Sequence, residues 1–230
     1  SNAAIGGRKR GKMTKVITVT RELGSGGRGG GKRLADTLGY AYYDKEILEE
    51  IAKQTQTSEW YVERMLEGVL APHVPLHYGR SFSYYSPITH QAVKMLVEER
   101  NVIRLLAAKG NCVIVGRGAN TILEERRPFN IFVYADMPSK IIRCRERASE
   151  KENLTDRELE KKIRQVDHLR AKSLEMVSEF KWGNKEGYHL CVNTSGLSIK
   201  ELTPLVAEYA KYWLRDAQDH AEKEKGDSNE

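Results

Sequence analysis

Only three cysteines, Cys112, Cys144 and Cys191, occur among the 230 residues. They cannot all pair, no CxxC is present, and the run His73, His77 and His90 has no partnering cysteines. Neither a disulfide framework nor a zinc site is indicated. Cys112 and Cys191 fall inside predicted strands, where a reduced thiol packs as a small core residue; the histidines read as surface residues. No apolar run approaches the ~18 residues of a membrane span, and no signal-peptide core is present, which predicts a soluble, cytoplasmic protein with no membrane partner. No internal repeat is visible.

What is present is enough for one sizeable domain, with 40% hydrophobic residues to fill a core. Ser1-Asn2-Ala3 reads as a remnant of tag cleavage, and residues 1–12 as a disordered basic leader. The net charge is +6. Segment 140–172 holds eleven Lys/Arg against seven Asp/Glu on a helical pattern, which is either a solvated helical face or a site for an anionic substrate. The Gly/Arg stretch at 26–31 resembles an RGG segment only superficially, being short and set between a strand and a helix, so nucleic acid is the least favoured partner.

The densest information lies in residues 16–39, VITVTRELGSGGRGGGKRLADTLG. A buried-type strand leads into eight residues of which six are glycine, then into a helical pattern with Leu34, Ala35 and Leu38 on one face and Gly39 as its stop. A glycine loop between strand and helix lets backbone N–H groups converge on phosphate. Two registers compete. Gly26 to Lys32 fits G-x-x-x-x-G-K literally, but Arg33 follows where a magnesium-binding Ser or Thr belongs. The preferred register takes Gly24-Ser25-Gly26-Gly27 as the loop and starts the helix at Arg28, which puts glycine in the lysine position and arginine in the Ser/Thr position. Its cation must then be Arg28, Lys32 or a residue from elsewhere. The triplet Gly29–Gly31 disfavours helix by roughly 1 kcal/mol per glycine, which predicts a loop poorly ordered without ligand.

Strands are predicted at 40–43, 112–115, 130–134 and 188–193. Helices are expected at 45–54, 58–68, 88–109 with a break near Asn101, 120–125, 138–147, across 150–180, and at 198–215. Their alternation implies an α/β fold with a mostly parallel sheet flanked by helices. Residues 69–87, with three prolines and many aromatics, read as an irregular insert that carries substrate contacts or a homodimer contact. Residues 216–230 have no apolar face and read as a disordered tail.

ITVTRELGSGGRGGGKRLADTLGYAYYDKEIL, CVIVGRGANTIL and FNIFVYADMPSKIIRCRER together resemble the bacterial cytidylate kinase-like family, relatives of the P-loop nucleoside monophosphate kinases. The resemblance covers residues 15–212 and implies a single P-loop kinase-like domain over 13–215, with a helical acceptor lobe at about 45–105 and a helical lid at about 147–180. It implies ATP and Mg²⁺ as cofactors and a nucleotide acceptor. Gly24, Ser25, Gly26, Gly27, Arg28 and Lys32 would bind the ATP phosphates. Asp44, Arg104, Arg117, Asp167 and Arg170 would hold the acceptor. Arg28, Arg143 and Arg147 would stabilise the phosphoryl group in transfer, and Arg164 resembles a further lid arginine. No metal ligand is assigned. Asp44 also fits an N-cap of the helix starting at Lys45, and Arg143, Arg147 and Arg164 could instead pair with Glu146, Glu150 and Glu160 on a solvent face.

Departures from the family pattern are Gly27 for lysine, Arg28 for Ser/Thr, Val115 and Gly118 for aspartates, and Glu50 for a phosphate-binding arginine. The reading that follows is ATP-dependent phosphoryl transfer to a nucleoside monophosphate, with cytidylate first. The alternative is a nucleotide-binding regulator without turnover.

Overall fold

In the computed structural model, residues 14–68, 87–148, 154–175 and 178–226 are described. Five strands form one all-parallel sheet: β1 (Val16–Arg21), β2 (Ala41–Tyr43), β3 (Cys112–Val115), β4 (Phe129–Tyr134) and β5 (Leu190–Asn193), in the order β2-β3-β1-β4-β5. Ile17 stands opposite Val113 on one side and Phe129 on the other. The helices are α1 (Gly27–Leu38), α2 (Glu46–Thr55), α3 (Glu59–Gly68), α4 (Pro87–Lys109), α5 (Ala119–Ile122), α6 (Met137–Arg147), α7 (Asp156–Glu175) and α8 (Ile199–Gly226). The α/β class with a parallel sheet is thus as the alternation predicts.

Central strands of a parallel sheet are buried on both faces, and here alternate residues feed two cores. Val16, Cys112 and Ile114 pack with Ile47, Ile51, Val62 and Ile103 of α2–α4. Ile17, Val19, Val113 and Val115 face the opposite way, onto Leu34 and Ala35 of α1 and Ala207 and Ala210 of α8.

Three expectations are corrected. α1 begins at Gly27 with Gly26 as its N-cap, within a residue of the preferred register, but Gly29–Gly31 are regular helix rather than a poorly ordered loop. Gly31 is there for packing, because a Cβ on it would stand 2.8 Å from Val115 Cγ2. α4 runs unbroken past Asn101, whose side chain is exposed. α8 continues to Gly226 instead of ending at Arg215: its last turns hold alanine, glutamate, lysine and glutamine, good helix formers that need no apolar face to propagate.

His189 is a fourth surprise. It is stacked on Phe129 and tilted against Trp213, with Nδ1 accepting the Asn130 N–H at 2.9 Å. Burial lowers its pKa below the ordinary value. It is a core-edge residue, whereas His73 and His77 lie outside the described residues. The three cysteines are free, with Cys112 buried and the other two half-buried. No helix among the described residues is long and apolar enough to cross a membrane.

Candidate active site

The carboxyl ends of β1, β2 and β3 meet where α/β proteins bind ligands. From β1 the chain enters the glycine loop, with Gly24 and Gly26 in the left-handed region at φ 79° and 81°. Each also lacks room for a side chain: a Cβ on Gly24 would meet the Lys140 carbonyl at 2.6 Å, and one on Gly26 would meet Ile199 at 2.5 Å. Ser25 is buried, and its hydroxyl donates to the Glu22 carbonyl at 2.8 Å, so it shapes the turn from inside. Gly30 N donates to Gly26 O, which closes the first helical turn. The earlier N–H groups of α1 have no intrahelical partner, although Gly27 N–H donates to Ser25 Oγ at 3.4 Å, and a helix start of this kind is chemically suited to an anion.

Beside this loop sits a compact set of charges. Asp44, buried after β2, has Arg28 Nε at 2.5 Å from Oδ2 and Arg21 at 3.8 Å from Oδ1. The Arg28 contact is an ion pair without the alignment of a hydrogen bond. Asp44 does not cap α2: Lys45 occupies the N-cap, and Glu46 turns back to accept the Asp44 N–H at 2.9 Å. Burial, with Arg170 and then Arg117 nearby, brings the Arg21 guanidinium down to about 10, against the opposing pull of Asp44. Burial together with Asp44 pushes the neighbouring Tyr42 phenol up to about 12.

Arg117 has φ 61° between Gly116 and Gly118, which are also left-handed, so three successive residues bend the chain back at the end of β3. Its side chain pairs with Glu99 of α4 at 3.4 Å. Burial raises the Glu99 carboxyl, and Arg117 works against the rise. Asp167 and Arg170 of α7 fasten the strand-to-loop junction: Asp167 accepts the Leu23 N–H at 2.7 Å, and Arg170 donates to the Arg21 carbonyl at 3.2 Å. Lys140, 6% exposed, lies between Glu22 at 2.9 Å and Asp167 at 3.4 Å.

Residues 16–196 match the cytidylate kinase-like family. The chain belongs to that family. No curated protein matches it. Among solved structures it is similar to an uncharacterised protein from Eubacterium ventriosum, at 24% identity over 86% of this chain and 98% of that one, with a TM-score of 0.62. It is also similar to the shikimate kinase from Bacteroides thetaiotaomicron, at 18% identity over 86% and 99%, with a TM-score of 0.52. At these identities the likeness shows the shared fold, a parallel sheet flanked by helices.

Within this cytidylate kinase-like chain, the departures from the family pattern have local causes. Val115 is fully buried and packs on Gly31, which leaves no place for a carboxylate, and Gly118 is the left-handed N-cap of α5. Glu50 lies on α2 and accepts from Gln54 at 3.1 Å.

The structure brings Arg28, Asp44, Arg117, Asp167 and Arg170 to one end of the sheet, and it places other candidates elsewhere. Lys32 is exposed and pairs with Asp36 at 2.8 Å. Arg104 is on the exposed face of α4 and makes no ion pair with a described residue. Arg164 pairs with Glu160 at 2.7 Å on the outer face of α7, as the charge pattern allows; Glu150 lies outside the described residues. Arg143 donates to the carbonyls of Gly24, Thr194 and Leu197, so it ties the loop to the turn after β5. Arg147 is exposed and its guanidinium overhangs the first turn of α1, 3.6 Å from where a Gly29 Cβ would be.

Arg21, Glu22, Glu99 and Lys140 escape the sequence reading. Arg21 carried a usable signal, since it ends a buried strand at its carboxyl edge, the same argument that singles out Arg117.

Proposed function

We propose that this protein transfers the γ-phosphoryl group of ATP to a nucleoside monophosphate, with cytidylate first in line, and that it does so in the cytoplasm, where ATP is supplied. The observation that carries the reading is the convergence of Arg21, Arg117 and Arg170 beside Asp44, next to a glycine loop that opens onto a helix N-terminus. Phosphoryl transfer asks for positioned cations around three equatorial oxygens and for little covalent chemistry, and this arrangement supplies that.

Each residue has a role in this reading. The N–H groups at the start of α1 hold the donor phosphates. Arg117, kept in place by Glu99, takes the acceptor phosphate, while Asp167 and Arg170 keep the strand-to-loop junction in register. Arg147 closes over the loop from α6, and Arg143 fixes the loop to the β5–α8 turn.

Mg²⁺ fits these residues in the manner of phosphate-bound magnesium, which needs one or two carboxylates and otherwise uses phosphate and water. Asp44 would supply that carboxylate once Arg28, whose Nε stands 2.5 Å from Oδ2, gives it up. When bound, the ion would neutralise the β- and γ-phosphate oxygens. Arg28 cannot be a ligand; it orients Asp44.

ADP production from ATP·Mg²⁺ against a panel of nucleoside monophosphates, with shikimate as a non-nucleotide acceptor, tests the reading. Turnover with one pyrimidine monophosphate, lost in Arg117→Ala and Arg28→Ala, is the expected result. ATP binding without turnover on any acceptor would favour the regulator, which the Arg28–Asp44 pairing supports by occupying the carboxylate.

A further inference from the structure

The loop has no lysine at position 27, and the space for one is already taken. A Cβ on Gly27 would stand 2.5 Å from Arg21 Cβ and 3.2 Å from Arg21 Cγ. The stem of Arg21 therefore runs through the volume in which a side chain at 27 would begin. Further out, its guanidinium lies so close to Gly116 that any side chain there would run into it. One arginine thus explains two glycines, one in the loop and one after β3.

The guanidinium itself is under-satisfied. Its side chain is 18% exposed, its nearest carboxylate is Asp44 at 3.8 Å, and it makes no hydrogen bond to a described residue. A guanidinium carries five N–H donors, and on this half-buried arginine they are left to solvent or to a ligand. Four other cations around the loop are committed: Arg28 to Asp44, Lys32 to Asp36, Lys140 to Glu22 and Asp167, and Arg143 to three carbonyls. Arg147 reaches the loop too, but from an exposed position over Gly29, on the helix side and away from β1.

We propose that Arg21 replaces the P-loop lysine and is the catalytic cation that grips the terminal phosphate of the donor nucleotide. The proposal rests on the kinase reading. Because it reaches in from the strand rather than from the helix, Arg21 delivers its charge at the side of the loop that faces Asp44 and Arg117, between donor and acceptor. A guanidinium can hold two phosphate oxygens at once where an ammonium acts as a point charge.

The test is titration calorimetry of ATP, ADP and AMP with Mg²⁺, without acceptor, on the full chain and on Arg21→Ala, Gly27→Lys and the exchange variant Arg21→Gly/Gly27→Lys. Loss of charge-assisted bonds to the terminal phosphate predicts roughly 30-fold or more weaker ATP binding in Arg21→Ala, with AMP binding changed by less than about threefold. Gly27→Lys alone forces a stem into Arg21 and is expected to weaken ATP binding as well. Vacating position 21 in the exchange variant is expected to return ATP affinity to within about tenfold of the unmodified protein, since one phosphate-binding cation is traded for another. Arg21→Met keeps the stem in place and carries the same expectation as Arg21→Ala if the alanine variant does not fold. ATP binding unchanged in Arg21→Ala or Arg21→Met overturns the proposal and leaves the kinase reading standing. Absence of ATP binding by the unmodified protein overturns the kinase reading and the proposal with it.

Discussion

Arg28 Nε and Asp44 Oδ2 stand 2.5 Å apart, which joins the first turn of α1 to the end of β2. The position where related loops place a magnesium-binding hydroxyl is here a basic side chain, and the carboxylate it holds is itself buried. Arg28 is half exposed while Asp44 is not, so the two ends of this contact differ in what they contribute.

Arg28→Ala is therefore expected to cost under about 1 kcal/mol, because a half-exposed ion pair is screened by solvent. Asp44→Ala is expected to cost about 1–3 kcal/mol, since it takes the nearest counter-charge from the half-buried Arg21 guanidinium. Urea denaturation at neutral pH separates the two. Equal losses would mean that Arg21 does not depend on Asp44.

The glycines of α1 make a paired prediction. Gly31→Ala drives a Cβ to 2.8 Å from Val115 Cγ2 in a packed core, and overpacking of that kind costs about 1–3 kcal/mol. Gly30 lines an apolar cavity between α1 and α8, with Ile199 Cγ2 at 3.5 Å from its would-be Cβ. Gly30→Ala is expected to stabilise by up to about 1 kcal/mol through helix propensity. Thermal melts should move in opposite directions; a fall in both would show that the helix start tolerates no Cβ at all.

Much of this fold is legible in local sequence. Val16–Thr20, the stop at Gly39 and the strand Cys112–Val115 declare themselves by β-branched runs and glycine boundaries, and they sit in the sheet within a residue of expectation. The start of α1 falls within a residue of the preferred register, but the order of Gly29–Gly31 is not legible, because three glycines argue against helix locally and only the contact with Val115 explains one of them. Arg21 and Lys140 were hidden for a related reason. An arginine after a strand and a lysine in a first helical turn look like solvated residues until tertiary packing buries them. His189 reads as polar for the same cause, yet it lies against two aromatic rings.

That burial gives His189 a pH signature. Its Nδ1 accepts the Asn130 N–H, which requires the neutral ring, and burial holds the folded pKa below 6.5. The stabilisation is fully present above the unfolded pKa and is lost as pH falls from there through the folded value, by at most about 1.4 kcal/mol per pH unit. Urea midpoints between about pH 7.5 and 5.5 should show this slope, and His189→Gln should flatten it. An unchanged slope in the variant would place the titrating group elsewhere.

Lys140 offers the sharpest electrostatic test, because one ammonium separates two carboxylates at the base of the loop. Glu22 Oε2 accepts both Lys140 Nζ at 2.9 Å and the Ala135 N–H at 3.1 Å, while Asp167 accepts Leu23 N on its other oxygen. Lys140→Met keeps the stem and removes the charge, which leaves Glu22 and Asp167 facing one another with only Arg170, at 3.4 Å from Asp167, to compensate. The expected loss at neutral pH is about 3–5 kcal/mol, the scale for breaking a buried ion pair from one side. Burial already holds the Asp167 carboxyl above its usual range, and losing the ammonium raises it further. A raised folded pKa on an acid means that the deficit is fully expressed above that pKa and shrinks as pH falls through it toward the ordinary carboxylate value. Urea midpoints of both proteins from about pH 7 down to 4.5 should therefore converge. A gap that stays constant with pH would assign the cost to repacking of the substituted side chain and not to the charge.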